Sequence, residues 1–195
     1  MGNRAVITTK DKELGVYLHW NGGRDSVEAF LFYCKLKGFR APETDCYGWA
    51  RLCQVIGNWF GEGLSVGIDL YNRLDTDNGD NGVYVIKNWE IVDRLYSGRE
   101  QRCYALLDML LDIDSKQPAG EQLGEELIKN EVAKLVTPIT TKQIRAIHAV
   151  VKELGIERYE YEHLLEILFK VDTCKKLNEK QASILIETLN KIKGE

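Results

Sequence analysis

Pro138–Ile192 reads PITTKQIRAIHAVVKELGIERYEYEHLLEILFKVDTCKKLNEKQASILIETLNKI, and every local signal in this stretch points to helix. Thr140 is placed to accept the free amide of Gln143, and Gln143 to reach back, as in a capping box. Ile139 and Ile144 flank that box at hydrophobic-staple positions. Ile144, Ile147, Val151 and Leu154 then form one apolar stripe, and Gly155 marks the stop. Tyr161, Leu164, Leu165, Leu168 and Phe169 follow the same spacing and predict a second helix. The third helix repeats the grammar of the first: Asn178 caps, Gln181 reaches back, Leu177 and Ala182 staple, and Ala182, Leu185, Ile186 and Leu189 form the stripe. Three short helices with one apolar face each predict a small bundle with its own core.

The run K-Q-I-x-x-I-H, then E-L-G-I, then Y-x-x-L-L, then K-x-L-N-x-x-Q-A-x-x-L-I-x-x-L resembles phage GemA-type regulatory proteins. It is also similar to helical tails of other phage replication and recombination accessories. The resemblance covers about the last third of the chain and rests on core and cap positions. It implies a phage or prophage origin and a binding role beside host nucleic-acid machinery, with no catalytic residue.

The rest of the chain reads differently. Ala5–Thr9 and Val16–Trp20 are β-rich runs that predict a hairpin. After the NGGRDS turn, Asp25 with Glu28 predicts a capped helix through Lys37, with Val27, Phe30, Leu31 and Cys34 on its apolar stripe. Asp45 is placed to cap a second helix along Cys46, Trp49, Cys53, Ile56 and Phe60. LSVGIDLY predicts a strand, RLDTDNGDNG a long turn, and VYVIKNWEIV a strand or bent hairpin. The order of these elements resembles uncharacterised small proteins of gut Firmicutes and their phages. Gln101–Ile113 predicts a helix, DSKQPAGEQLGEE has the composition of a linker, and Leu127–Val136 predicts a short helix. The fold expected is α+β. Residues 1–97 form a small α+β domain of about four strands and two helices, 98–136 a helix and linker, and 137–195 an all-α three-helix domain.

With 195 residues and 44% hydrophobic content, the chain suits one large or two small domains with a proper core. No stretch is long and apolar enough to cross a bilayer, and MGNRAVITTK lacks the apolar core of a signal peptide. Five cysteines without paired short spacings argue against a disulfide framework. A reduced, cytoplasmic location in a host cell and no membrane partner are therefore expected. The net charge is −4. From Thr137 onward there are 10 Lys and Arg against 9 Asp and Glu, and the first 136 residues hold 16 against 21. Neither part has the basic excess of a free-standing, phosphate-driven binder.

Four constellations carry the candidate chemistry. Arg24, beside the glycines of the NGGRDS turn, combines a cation with helix N-terminal amides, but no P-loop pattern follows, and a partner contact is the functional reading. Asp75, Asp77 and Asp80 make an acidic loop whose spacing fails the calcium pattern, since Gly79 is fifth and Ile86 twelfth counting from Asp75. Protein contact or DNA mimicry is its functional reading. Lys142, Arg145, Lys175 and Lys176, with Lys152, are candidates for a nucleic-acid-contacting surface, and Tyr159 and Tyr161 for stacking or core. His148 reads as a packed or capping histidine. Cys34, Cys46, Cys53 and His19 have the residue types of a cysteine nucleophile or zinc site, yet Cys46 and Cys53 share a stripe with Trp49, Ile56 and Phe60, the pattern of core packing. No metal, cofactor or catalytic set is expected.

The expected function is a non-enzymatic phage-type accessory protein. It would bind, and modulate or inhibit, a host or phage protein of nucleic-acid machinery, with DNA contacted inside a complex. An anti-CRISPR-like inhibitor of a defence nuclease fits this class. Two alternatives stand beside it: a DNA-binding regulator acting through the helical tail, and a cysteine-dependent hydrolase using Cys46 or Cys53 with His19.

Overall fold

Five strands form one mixed sheet: β1 (Ala5–Thr9), β2 (Leu14–Leu18), β3 (Val66–Leu70), β4 (Val83–Lys87) and β5 (Glu90–Leu95), in the order β3-β2-β1-β4-β5. The computed structural model describes residues 2–63, 65–96, 98, 100–101, 104–135 and 137–194. Leu64, Arg102, Cys103 and Val136, each placed in an element by the sequence reading, lie outside the described residues. β1 and β4 pair in parallel and the other neighbours are antiparallel. All five β1 residues are buried, as a strand flanked and covered on both sides requires. Val6, Val83 and Val85 pack on one face under Tyr17, Tyr71 and Leu74, while Ile7, Val16 and Tyr84 point the other way.

That second face meets the helices. α1 (Arg24–Leu36) and α2 (Cys46–Phe60) pack on each other, α2 against β3 and α1 against β5. α1 buries Val27, Phe30, Leu31 and Cys34 as its spacing predicts. Its cap differs from expectation: Gly23 is the N-cap, without a side-chain bond, and Asp25 lies inside the first turn. At Gly22, just before the cap, a Cβ would come within 2.6 Å of the Ala5 Cβ, so only glycine fits where this turn passes β1. Asp45 caps α2 as expected, accepting from Tyr47 N at 2.9 Å.

One further expectation is corrected. Among the described residues there are five strands rather than about four, because VYVIKNWEIV takes the hairpin form of the two expected, β4–β5, around Asn88 and Trp89 at φ of 50° and 64°. Trp89 is buried and its Nε1 donates to Phe39 O at 2.8 Å, so a tertiary anchor holds a turn that usually carries glycine. Of the stretch expected as helix and linker, the part up to Lys129 belongs to the first unit and the rest to the second. α3 (Leu106–Ser115) packs on α1, and Asp114 is buried at its end. That carboxylate accepts Tyr33 Oη at 2.6 Å, Leu123 N at 2.7 Å and Gly124 N at 3.0 Å. Gln117, also buried, bonds Asn58 at 2.9 Å and Val55 O at 3.2 Å.

The chain divides into two units, Met1–Lys129 and Asn130–Glu195, and the boundary falls inside α4 (Glu125–Leu135). The second unit holds α5 (Thr141–Glu153), α6 (Arg158–Phe169) and α7 (Glu179–Gly194), the three helices predicted. Both capping boxes form. Gln143 N donates to Thr140 Oγ1 at 3.2 Å, and Gln181 N to Asn178 Oδ1 at 2.8 Å. A bridge between Pro138 and Asn178 sets the two helix starts side by side, and α5 packs on α7. The core gathers Ile147, Tyr161, Leu165, Phe169, Cys174, Leu177, Ala182, Leu185 and Leu189. Among the described residues, no helix is long and apolar enough to cross a membrane.

Candidate functional site

Arg24 sits at the first turn of α1, partly buried and paired within the fold. Its Nε lies 3.1 Å from Glu28 and an Nη 3.5 Å from Glu100. Glu100 also holds Arg94 at 2.9 Å, and Arg94 lies 3.5 Å over the Tyr84 ring. Tyr104 donates to Glu28. Burial acts to lower the Arg24 pKa, but Tyr104, Glu28 and Glu100 outweigh it and hold the guanidinium charged. Burial pushes the Tyr84 and Tyr104 hydroxyls well above their usual range, so both stay protonated. The cluster ties α1 and β5 to Glu100 and Tyr104.

The acidic loop is likewise built from within. Asn78, buried, accepts from Asp80 N, Asn81 N and Gly82 N at 3.0–3.2 Å and donates to Asp75 O and Gly82 O at 3.2 Å. Asp80 accepts Arg4 N at 3.0 Å and Arg4 Nε at 2.7 Å, and those bonds hold its carboxyl below the usual carboxylate range. Asp75 is exposed, 3.6 Å from Arg4. Asp77 is exposed as well and borders a cleft of about 320 Å³ lined by Leu95 and Tyr96. Of the three expected contact carboxylates, Asp80 is therefore committed to the fold, and Asp75 and Asp77 face solvent.

Among the described residues, Cys34, Cys46 and Cys53 make no hydrogen bond to His19. Cys34 is buried and Cys53 half-buried, and burial pushes both thiols up. Cys46 is exposed. His19 is exposed, against Trp20 and Tyr17. Among the described residues, no group of three or more His, Cys, Asp and Glu is placed to hold a metal ion.

The second unit contains what sequence reasoning missed. Cys174 Sγ lies 3.7 Å from His148 Nε2, and the His148 ring is 6.1 Å from that of Tyr161. The contact seats the Cys174–Lys176 turn on α5. Lys142, Arg145, Lys152 and Lys175 are exposed, and Arg145, His148 and Lys152 follow helical spacing along α5. Lys176 differs, since Asp172 holds it at 2.8 Å. On α6, Tyr161, Leu165 and Phe169 face inward. Tyr159 and Ile167 face outward, 77% and 57% exposed, and His163 stacks on Tyr159 at 3° between planes. Tyr159, His163 and Ile167 recur every four residues, a stripe legible in the sequence that the inward stripe eclipses.

Comparison with protein-family models, curated proteins and solved structures finds no match to this chain.

Proposed function

We propose that this chain is a non-enzymatic accessory protein of phage type that acts by binding a protein component of nucleic-acid machinery. Its helical unit supplies the docking face. The observation that carries this reading is the outer stripe of α6. A unit that buries the apolar residues of its core in one cluster leaves a tyrosine, a stacked histidine and an isoleucine in line on one exposed helix face. Aromatic and aliphatic anchors spaced by four residues are what a partner groove reads from a helix. Inhibition of a defence nuclease is one form this activity takes. In the first unit, the exposed Asp75 and Asp77 are the carboxylates left to meet a basic partner surface.

The test is capture from host lysate by the full chain, compared with Ile167→Glu. Ile167 is outside the core, so the melting temperature should not change. The expected result is a captured polymerase, helicase, nuclease or single-strand-binding protein that the variant loses. Equal capture by both proteins, or partners with no nucleic-acid role, contradicts the proposal.

One observation favours a second reading, direct contact with DNA by the second unit. Lys142, Arg145 and Lys175 are exposed and sit on α5 and the turn packed against it. If these three contact phosphates, log affinity should fall against log salt with a slope of about −3. Binding to duplex DNA that ignores salt or their replacement by alanine rejects this reading.

A further inference from the structure

The two edges of the sheet are unlike. β5 carries a bulge opposite Val85 and Ile86 and the charged residues Glu90, Asp93 and Arg94, devices that discourage pairing with another strand. β3, at the other edge, reads Val-Gly-Ile-Asp-Leu, with no lysine, proline or bulge. Its residues from Gly67 to Leu70 are exposed, with Ile68 at 49% and Leu70 at 42%.

Hydrogen bonds fix which groups of β3 point outward. Ser65 O accepts His19 N, and Tyr71 N donates to Glu13 O. By alternation, residues 65, 67, 69 and 71 bond to β2, so the amides and carbonyls of Val66 and Ile68 face away from the sheet. The Leu70 amide also faces outward and is held by Asp69 Oδ1 at 2.7 Å. Outward bonding is therefore centred on Ile68, which offers both its N–H and its C=O.

We propose that β3 is a homodimerisation edge, and that a second copy of this chain pairs with it antiparallel about a two-fold axis at Ile68. In this register Ile68 exchanges both bonds with the partner's Ile68. Val66 lies opposite the partner's Leu70, on the face of Val16 and Leu18, and extends the apolar layer across the axis. Asp69 lies opposite the partner's Gly67, so no like charges meet. A strand whose two-fold register pairs apolar with apolar and acid with glycine is complementary to itself. The product is a continuous sheet with the helices of both copies on one face.

Sedimentation equilibrium of the full chain tests this, with Gly67→Glu and Gly67→Lys as variants. A Cβ at Gly67 meets nothing within 4 Å, so both side chains fit the folded protomer. The wild type should sediment at twice 22.3 kDa. Gly67→Glu sets a second carboxylate opposite the partner's Asp69 at two symmetry-related places and should raise the dissociation constant about fivefold. Gly67→Lys sets an ammonium opposite the same carboxylates and should keep or tighten the dimer, more so at low salt. A wild type that stays monomeric up to about 100 µM, where even weak pairing shows, overturns the proposal. So does a dimer that both variants weaken alike or leave alike.

Discussion

At the scale of single residues, Asn78 organises the turn-rich segment between β3 and β4. One buried amide side chain satisfies three backbone N–H groups and two carbonyls. Asn78→Ala should therefore cost about 2 kcal/mol or more, because each buried group left unpaired costs roughly 1–3 kcal/mol. Chemical denaturation measures it, and a loss within error of zero would show the turn is held elsewhere. The sequence marks this segment as turn but cannot single out Asn78 among its polar neighbours, since its partners are backbone groups positioned by the sheet. Asp80 makes a pH-dependent contribution. Arg4 depresses its folded pKa below the unfolded value of about 3.9. The stabilisation is therefore present above that value and lost as pH falls through the depressed folded pKa. Asp80→Asn should be less stable than wild type at neutral pH, and the difference should shrink as pH falls through the depressed folded pKa. A constant difference down the acid limb would mean that charge is not the cause.

Among elements, legibility follows the range of the interactions. The boxes at Thr140 and Asn178 join residues three apart, and the sequence places both. Thr140→Ala should cost about 1 kcal/mol through the lost cap, read as a lower melting temperature of the second unit. No change would assign the helix start to the Pro138–Asn178 bridge instead. The sequence leaves β4–β5 open between one strand and a bent hairpin, and hides what anchors the segment after α3, for the opposite reason. Asn88-Trp89 lacks the glycine that marks a two-residue turn, and what holds Trp89 is Phe39 O, 50 residues away. Asp114 and Gln117 lie in a stretch with the composition of a linker, but Tyr33, Val55 and Asn58 fix them from 59 to 81 residues away. The α6 surface is half legible. Spacing alone puts Leu168 in the core, whereas the inward face is Tyr161, Leu165 and Phe169.

At the scale of the whole molecule, the expectation of an α+β region followed by a helical one holds in its coarse form: a five-stranded mixed sheet with helices, then a bundle. The second unit has its own caps and core, so residues 130–195 should fold alone. Circular dichroism of that fragment should give a helical spectrum and a cooperative melt. A disordered spectrum would mean the bundle depends on the first unit. The proposed function places the decisive surface on this unit, at Tyr159. Its most direct test is a photo-crosslinking amino acid at position 159 of the full chain, with a second protein carrying it at position 77, each irradiated in host lysate. The account predicts a discrete adduct from position 159 whose partner is a protein of nucleic-acid machinery, abolished by Ile167→Glu. No adduct from position 159 while position 77 crosslinks strongly would contradict it and move the binding surface to the acidic loop.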